Sequence, residues 1–253
     1  MTKLLLVLGN LLARYLNKEI HQHAPMPVHS AEQLLATLQP GDVLLVEGNR
    51  RVSTAIKYLT QSTWSHAALF IGVDHGFDLP LQHCLLESDT QEGVRTVGIA
   101  EFHGHNTRIC RPVGLTEADC QRVINHAMAQ LGHQYDLRNV WDLARYLIAT
   151  PPVPQAYRRR LIALGSGDPS LAICSTMIAL AFQSVRYPIL PIVEHQSIDS
   201  PLCPGCVEEV MHIRHHSLFA PRDFDISPYF QVIKVGLDVG FDYRSLRWGD
   251  ATE

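Results

Sequence analysis

The chain has no surplus of basic charge. Its 253 residues carry 21 lysines and arginines against 25 aspartates and glutamates, a formal charge of -4. It therefore lacks the basic face that non-specific nucleic-acid binding requires. The one run of like charge, Arg158-Arg159-Arg160, has the length of a solvated helix face. Cysteine is sparse. Cys84, Cys110, Cys120, Cys174, Cys203 and Cys206 do not show the dense spacing of a small disulfide-stapled secreted domain. A chain of this length buries enough surface to fold without staples, and reduced thiols in a cytoplasmic protein are the expectation. Internal repeats are absent, and no low-complexity segment stands out beyond the proline clusters.

Long apolar runs are missing too. The stretch from Lys3 to Lys18 is interrupted by Gly9 and Asn10, is too short to span a bilayer, and is not followed by a small-residue cleavage site. On a helix, Leu4, Leu5, Leu8, Leu11, Leu12 and Leu16 share one face while Asn10, Arg14 and Lys18 fall elsewhere. This predicts an amphipathic helix over residues 3–17. It docks on the body of the protein or, alternatively, makes peripheral contact with the inner face of a membrane.

What is present is an ordered series of short elements. Ser30 and Gln33 have the spacing of a helix capping box. The turn Pro40-Gly41-Asp42 leads into an apolar strand over Val43 to Val46, and Ser53 to Gln61 is helix-like. Strands are predicted at Ala67–Val73, Cys84–Ser88, Gly93–Ile99 and Gln231–Val239. Helices are predicted from Thr116 to about Leu131, ended by Gly132, over Val140–Ala149, and over Cys174–Ser184. Strands gathered mostly in the first half, with helices around them but not strictly alternating, indicate α+β architecture. The expected organisation is an amino-terminal helix and linker over 1–39, then one domain over 40–253. A Cys/His-rich insertion interrupts that domain near 195–216.

Two residues point to chemistry. Cys174 opens a helical run after Gly165-Ser-Gly-Asp-Pro169, and a thiol in the first turn of a helix feels the positive end of the dipole, which favours thiolate. His66 begins the apolar run His66-Ala-Ala-Leu-Phe-Ile-Gly72. A Cys and a His distant in sequence but able to meet in the fold are the pattern of a thiol hydrolase, which also needs a polar group to orient the imidazole. Glu87, at the end of His83-Cys-Leu-Leu-Glu87, is the first candidate for that group. Asp89 shares its face by strand alternation and is the second. Taken one at a time, a buried Cys in an apolar helix is packing and a His before a strand is structural; the joint pattern carries the functional reading.

Several segments together resemble the YiiX/YebB-like cysteine hydrolases, circularly permuted members of the NlpC-type papain-fold superfamily. They are Pro40-Gly41-Asp42-Val-Leu-Leu-Val-Glu-Gly-Asn, Ser65-His66-Ala-Ala-Leu-Phe-Ile-Gly72, Leu86-Glu87-Ser88 with Gly93-Val94, Gly132-His-Gln-Tyr135-Asp136, Ile173-Cys174-Ser175, and Ala220-Pro-Arg-Asp-Phe224 with Ser227-Pro228. The resemblance spans roughly residues 40–230 in the permuted order His, acid, Cys. It implies an antiparallel, partly closed sheet packed on the Cys-bearing helix, with Cys174 as nucleophile, His66 as base and Glu87 as orienting residue. Tyr135 would line the substrate site, and no cofactor would be required. The implied reaction is hydrolysis or transfer of an acyl group from an amide or ester through an acyl-enzyme. Its substrate is a small-molecule, lipid or peptide acyl compound. The lipid-acting permuted relatives include the lecithin:retinol acyltransferase group, and the apolar amino terminus leans that way. Two alternatives stay open: a cell-wall peptide amidase, and a non-catalytic ligand-binding module that retains the fold.

Separately, Cys203-Pro-Gly-Cys206 with His212 and His215 downstream, and His195 and His216 nearby, makes a candidate structural zinc site. The alternative is an irregular insertion with unligated side chains.

Overall fold

A computed structural model describes residues 29–80, 82–89, 92–133, 174–197, 207–236 and 242–245, together with residues 18 and 247. Its centre is a six-stranded, wholly antiparallel sheet. The strands are β1 (Val43–Val46), β2 (His66–Phe70), β3 (Leu85–Asp89), β4 (Gly93–Val97), β5 (Thr107–Pro112) and β8 (Phe230–Ile233), in the order β4-β3-β2-β1-β5-β8. The predicted partial closure is not seen. Among the described residues β4 and β8 are edges, and the sheet is not closed.

Both faces of the sheet are covered, which explains why its central strands read as continuous apolar runs. Alternation sends Val43, Leu45, Ala67, Leu69, Leu86 and Val94 to one face, where they pack with Val123, Ile124 and Ala127 of α3 (Glu117–Met128) and with Met177, Ile178 and Phe182 of α4 (Cys174–Ser184). Leu44, Val46, Ala68, Phe70 and Leu85 go to the other face and meet Phe102 and Leu34, the buried residue of α1 (Ala31–Thr37). The α4 sequence is apolar nearly all round, as a helix held inside a molecule must be, and Phe182 is fully buried among Phe224, Phe230 and Tyr187.

Local signals fix the ends. Ser30 and Gln33 form the expected capping box on α1. Gly41 turns the chain into β1 at φ +89°, a left-handed conformation open to glycine. The next residue, Asp42, is buried and accepts bonds from Arg111 of β5 (Nε to Oδ1 2.8 Å, Nη2 to Oδ2 2.7 Å). Burial pushes its carboxyl upward despite the Arg111 pairing.

Beyond shifts of a few residues at the ends of other elements, the structure differs from the sequence expectation in the following ways. β5 lies between β1 and β8 although its residues Thr-Arg-Ile-Cys-Arg-Pro carry no clean period. The predicted strand over Gln231–Val239 is shorter and begins one residue earlier. The Cys/His-rich segment contains a separate hairpin of β6 (Ile192–Ser197) and β7 (Val207–His212) instead of an irregular insertion. The helices predicted over 3–17 and 140–149 lie outside the described residues.

Candidate active site

β2 and β3 are neighbours, and the first residue of β2 is His66. The alternation that puts Phe70 opposite Leu85 sends His66 and Glu87 to the same face. There the Nε2 of His66 meets Oε2 of Glu87 at 2.7 Å. Glu87 is 3% exposed, so its charge is compensated within the protein. The compensation comes from two sides, because Arg95 of β4 is the register partner of Glu87 and places both Nε (2.9 Å) and Nη2 (2.7 Å) on Oε1. One carboxylate oxygen is given to the imidazole and the other to the guanidinium. Arg95 is held in turn by Glu92 and Glu101, each at 3.1 Å.

With Nε2 occupied, the second ring nitrogen of His66 is left for the sulfur. Cys174 is 3% exposed and lines the same cleft as His66, where its charge bears on the imidazole. Helix α4 carries Cys174 at its first described position and packs on β2 and β3. Ser175 anchors that turn by donating to the Phe219 carbonyl at 2.8 Å. Phe102 lies beside the imidazole with ring centroids 6.2 Å apart.

The electrostatics follow from this packing. Burial alone lowers the pKa of His66, but the charge and hydrogen bond of Cys174, together with those of Glu87, push it up to about 10. Burial raises that of Glu87, yet His66 and Arg95 overcome it and bring the carboxyl down to about 2. The ionised carboxylate and the imidazolium thus stabilise each other over a wide pH range.

Cys174, His66, Glu87 and Arg95 line one open cleft of about 110 Å³. Its apolar wall includes Val46, Val52, Ile56 and Phe102; its polar wall includes Asn49, Arg50, Ser53, Asp89 and His105. Asp89, the second candidate for orienting His66, pairs with Arg50 at 3.2 Å, so the histidine's partner is Glu87. Sequence reading missed Arg95, and the signal for it is the short turn between β3 and β4 that sets Glu87 opposite residue 95.

The described remaining candidates, His195, His212 and His215, do not line this cleft. Tyr135, Cys203 and Cys206 lie outside the described residues. His212 faces Glu194 at 3.2 Å, His195 lies 3.9 Å from Glu209, and His215 stacks on His216 at 4.1 Å between centroids. Among the described residues, no group of three His, Cys, Asp or Glu side chains is placed to hold a metal ion, and no helix is long and apolar enough to cross a membrane.

Residues 37–147 match the family of permuted papain-like amidase enzymes, YaeF/YiiX, C92. That span contains His66, Glu87 and Arg95; Cys174 lies beyond it. Among solved structures, the chain is similar to the metalloprotein yiiX from Escherichia coli O157:H7. The two share 15% identity and a TM-score of 0.46, over 79% of this chain and 98% of that one. No curated protein matches the chain.

Proposed function

We propose, from the premise that this chain has the YiiX-like permuted papain fold of a hydrolase and amidase family, that it cleaves an amide or ester through a covalent intermediate on Cys174. The observation that carries this reading is the arrangement of His66. Its Nε2 is fixed at 2.7 Å by a buried, ionised Glu87, and His66 and Cys174 line one open cleft.

Cys174 reacts as the thiolate of a thiolate–imidazolium pair. The sulfur attacks the acyl carbon, and the carbonyl electrons move onto oxygen, where the backbone N–H of Cys174 is a candidate donor. Collapse of this adduct breaks the bond to the amine or alcohol, which leaves with the proton from His66. The neutral imidazole then takes a proton from water, and the hydroxide attacks the thioester. The carboxylic acid departs and the sulfur is regenerated. An acceptor other than water would make the same intermediate that of an acyltransferase. Glu87 takes no proton; it holds the ring and the positive charge.

The substrates proposed are lipid-derived or peptide acyl compounds, because the cleft offers an apolar wall of Val46, Val52, Ile56 and Phe102 beside the thiol. Mass-spectrometric profiling of acyl amides, esters and peptides tests this. Wild type converts a subset that Cys174→Ala and His66→Ala leave intact. Conversion surviving in Cys174→Ala would contradict the reading, and binding without turnover in wild type would favour the ligand-binding module. Peripheral membrane contact through residues 3–17 is part of the same proposal, read by co-sedimentation with vesicles. A structural zinc on Cys203, Cys206, His212 and His215 is separate from the reaction. Metal content of wild type against Cys203→Ser tests it.

A further inference from the structure

The cleft contains a second polar feature beside the thiol. Helix α2 (Arg51–Thr60) directs its amino-terminal end into it: Arg50, Val52 and Ser53 all line the cleft, and Arg50 at the N-cap position makes no side-chain cap. First-turn amides have no carbonyl partner within their own helix. That of Arg51 donates to the Lys18 carbonyl at 3.2 Å, whereas Val52 and Ser53 have no such partner among the described residues. This end therefore keeps the positive field of the helix dipole.

An independent observation marks the same spot. Ser53 is 6% exposed, and its hydroxyl has no hydrogen-bond partner among the described residues. That oxygen is not one of the sealed-off unpaired side-chain atoms, so the hydroxyl opens on the cleft that Ser53 lines. Its position depends on Gly48, because a Cβ there would collide with Ser53 Oγ and lie 3.0 Å from Ser65 Oγ. Ser65 in turn accepts from the Gly48 amide at 2.9 Å and immediately precedes His66. Glycine leaves room for a hydroxyl one residue's width from the imidazole-bearing strand. The formal charges nearby are paired: Asp89 with Arg50, and Glu87 and Glu101 with Arg95. Among the described residues, the Val52 and Ser53 amides and the Ser53 hydroxyl are left as donors without an acceptor.

We infer that the first turn of α2 and Ser53 form a subsite for a carboxylate that the substrate carries close to its scissile bond. This rests on the proposed hydrolase reading and names its substrate class: acyl amides with a free carboxylate, the hydrocarbon lying on Val46, Val52, Ile56 and Phe102. The carboxylate accepts from the Ser53 hydroxyl and the first-turn amides, and Arg50 faces it from the N-cap. A charge-assisted bond of this kind discriminates by about tenfold or more.

Matched substrates test it on the full chain. N-decanoylglycine against N-decanoylglycinamide places the carboxylate on the amine side, and a succinyl anilide against its succinamyl counterpart places it on the acyl side. Wild type should favour the carboxylate member of at least one pair by about tenfold in kcat/KM. Ser53→Ala should reduce that ratio to near one while leaving the neutral member within about twofold. Equal use of both members in both pairs by wild type would overturn the subsite. So would a Ser53→Ala loss common to charged and neutral substrates, since that places the hydroxyl in the reaction itself. Hydrolysis of either member by Cys174→Ala would instead overturn the hydrolase reading. If wild type turns over neither pair, calorimetric titration of Cys174→Ala with N-decanoylglycine and its amide decides. Tighter binding of the acid, lost in Cys174→Ala/Ser53→Ala, supports the subsite, and equal binding refutes it.

Discussion

At the scale of single residues, the controlling fact is that Glu87 serves two cations with different oxygens. His66 takes Oε2 and Arg95 takes Oε1. Replacing Glu87 by Gln keeps the shape and removes the charge that helps hold His66 protonated. The imidazolium then loses its proton at lower pH, so the basic limb of the kcat/KM profile should move down by about one to two pH units. An unmoved limb would show that Glu87 has no electrostatic hold on His66. The same carboxylate contributes to stability with a definite sign. Its pKa falls from 4.5 unfolded to about 2 folded, so its contribution is complete above about pH 4.5 and disappears as pH falls toward 2. Urea unfolding followed by circular dichroism should find Glu87→Gln less stable than wild type by on the order of 2 kcal/mol at pH 6, and the gap should close near pH 2. A gap independent of pH would assign the loss to packing.

The positions of these residues were unequally legible. Strand alternation alone puts His66 and Glu87 within reach once their strands are neighbours, and both were visible as polar residues at the ends of apolar runs. Arg95 was invisible, because register is decided between strands and not within them. Ser53 read only as the first residue of a helix-like stretch.

At the scale of elements, α4 is what brings the sulfur to the sheet. Eight of its eleven residues are buried, and Phe182 ties it to α5 (Pro221–Asp225) and β8 through Phe224 and Phe230. Truncating Phe182 to Ala should cost about 3–5 kcal/mol in urea unfolding. The helix itself was readable from its unbroken apolar sequence, as was β1. β5 was not, since Arg108, Arg111 and Pro112 interrupt the pattern. Its place in the sheet is set by partners far away in sequence, notably Asp42, which accepts bonds from Arg111. The hairpin of β6 and β7 escaped notice for a different reason. It carries Glu194, His195, Glu208 and Glu209, and a two-stranded ribbon with large exposed side chains shows no inward and outward alternation.

At the scale of the whole molecule, an open six-stranded sheet with both faces covered delivers the ends of β2, β3 and β4 and the start of α2 to one cleft. The order His, acid, Cys was read by comparison with a known family, whose match over residues 37–147 contains His66 and Glu87 but not Cys174. The shape of the cleft was not legible, for it depends on how α2 and the turn at Ile99–Phe102 lie against the strand ends. A neutral-pH reaction rate that depends on His66 follows from the whole arrangement: His66→Ala should reduce the rate of Cys174 alkylation by iodoacetamide at pH 7 by at least about tenfold, as loss of the paired imidazolium requires.

The most direct measurement is intact-mass and peptide mapping after brief exposure to an activated acyl ester. A single acyl group should appear on Cys174 of wild type and decay on standing, and the same treatment of His66→Ala should leave that cysteine essentially unlabelled. Acylation of Cys84, Cys110 or Cys120 in its place, or equal labelling of Cys174 in the two proteins, would contradict the account.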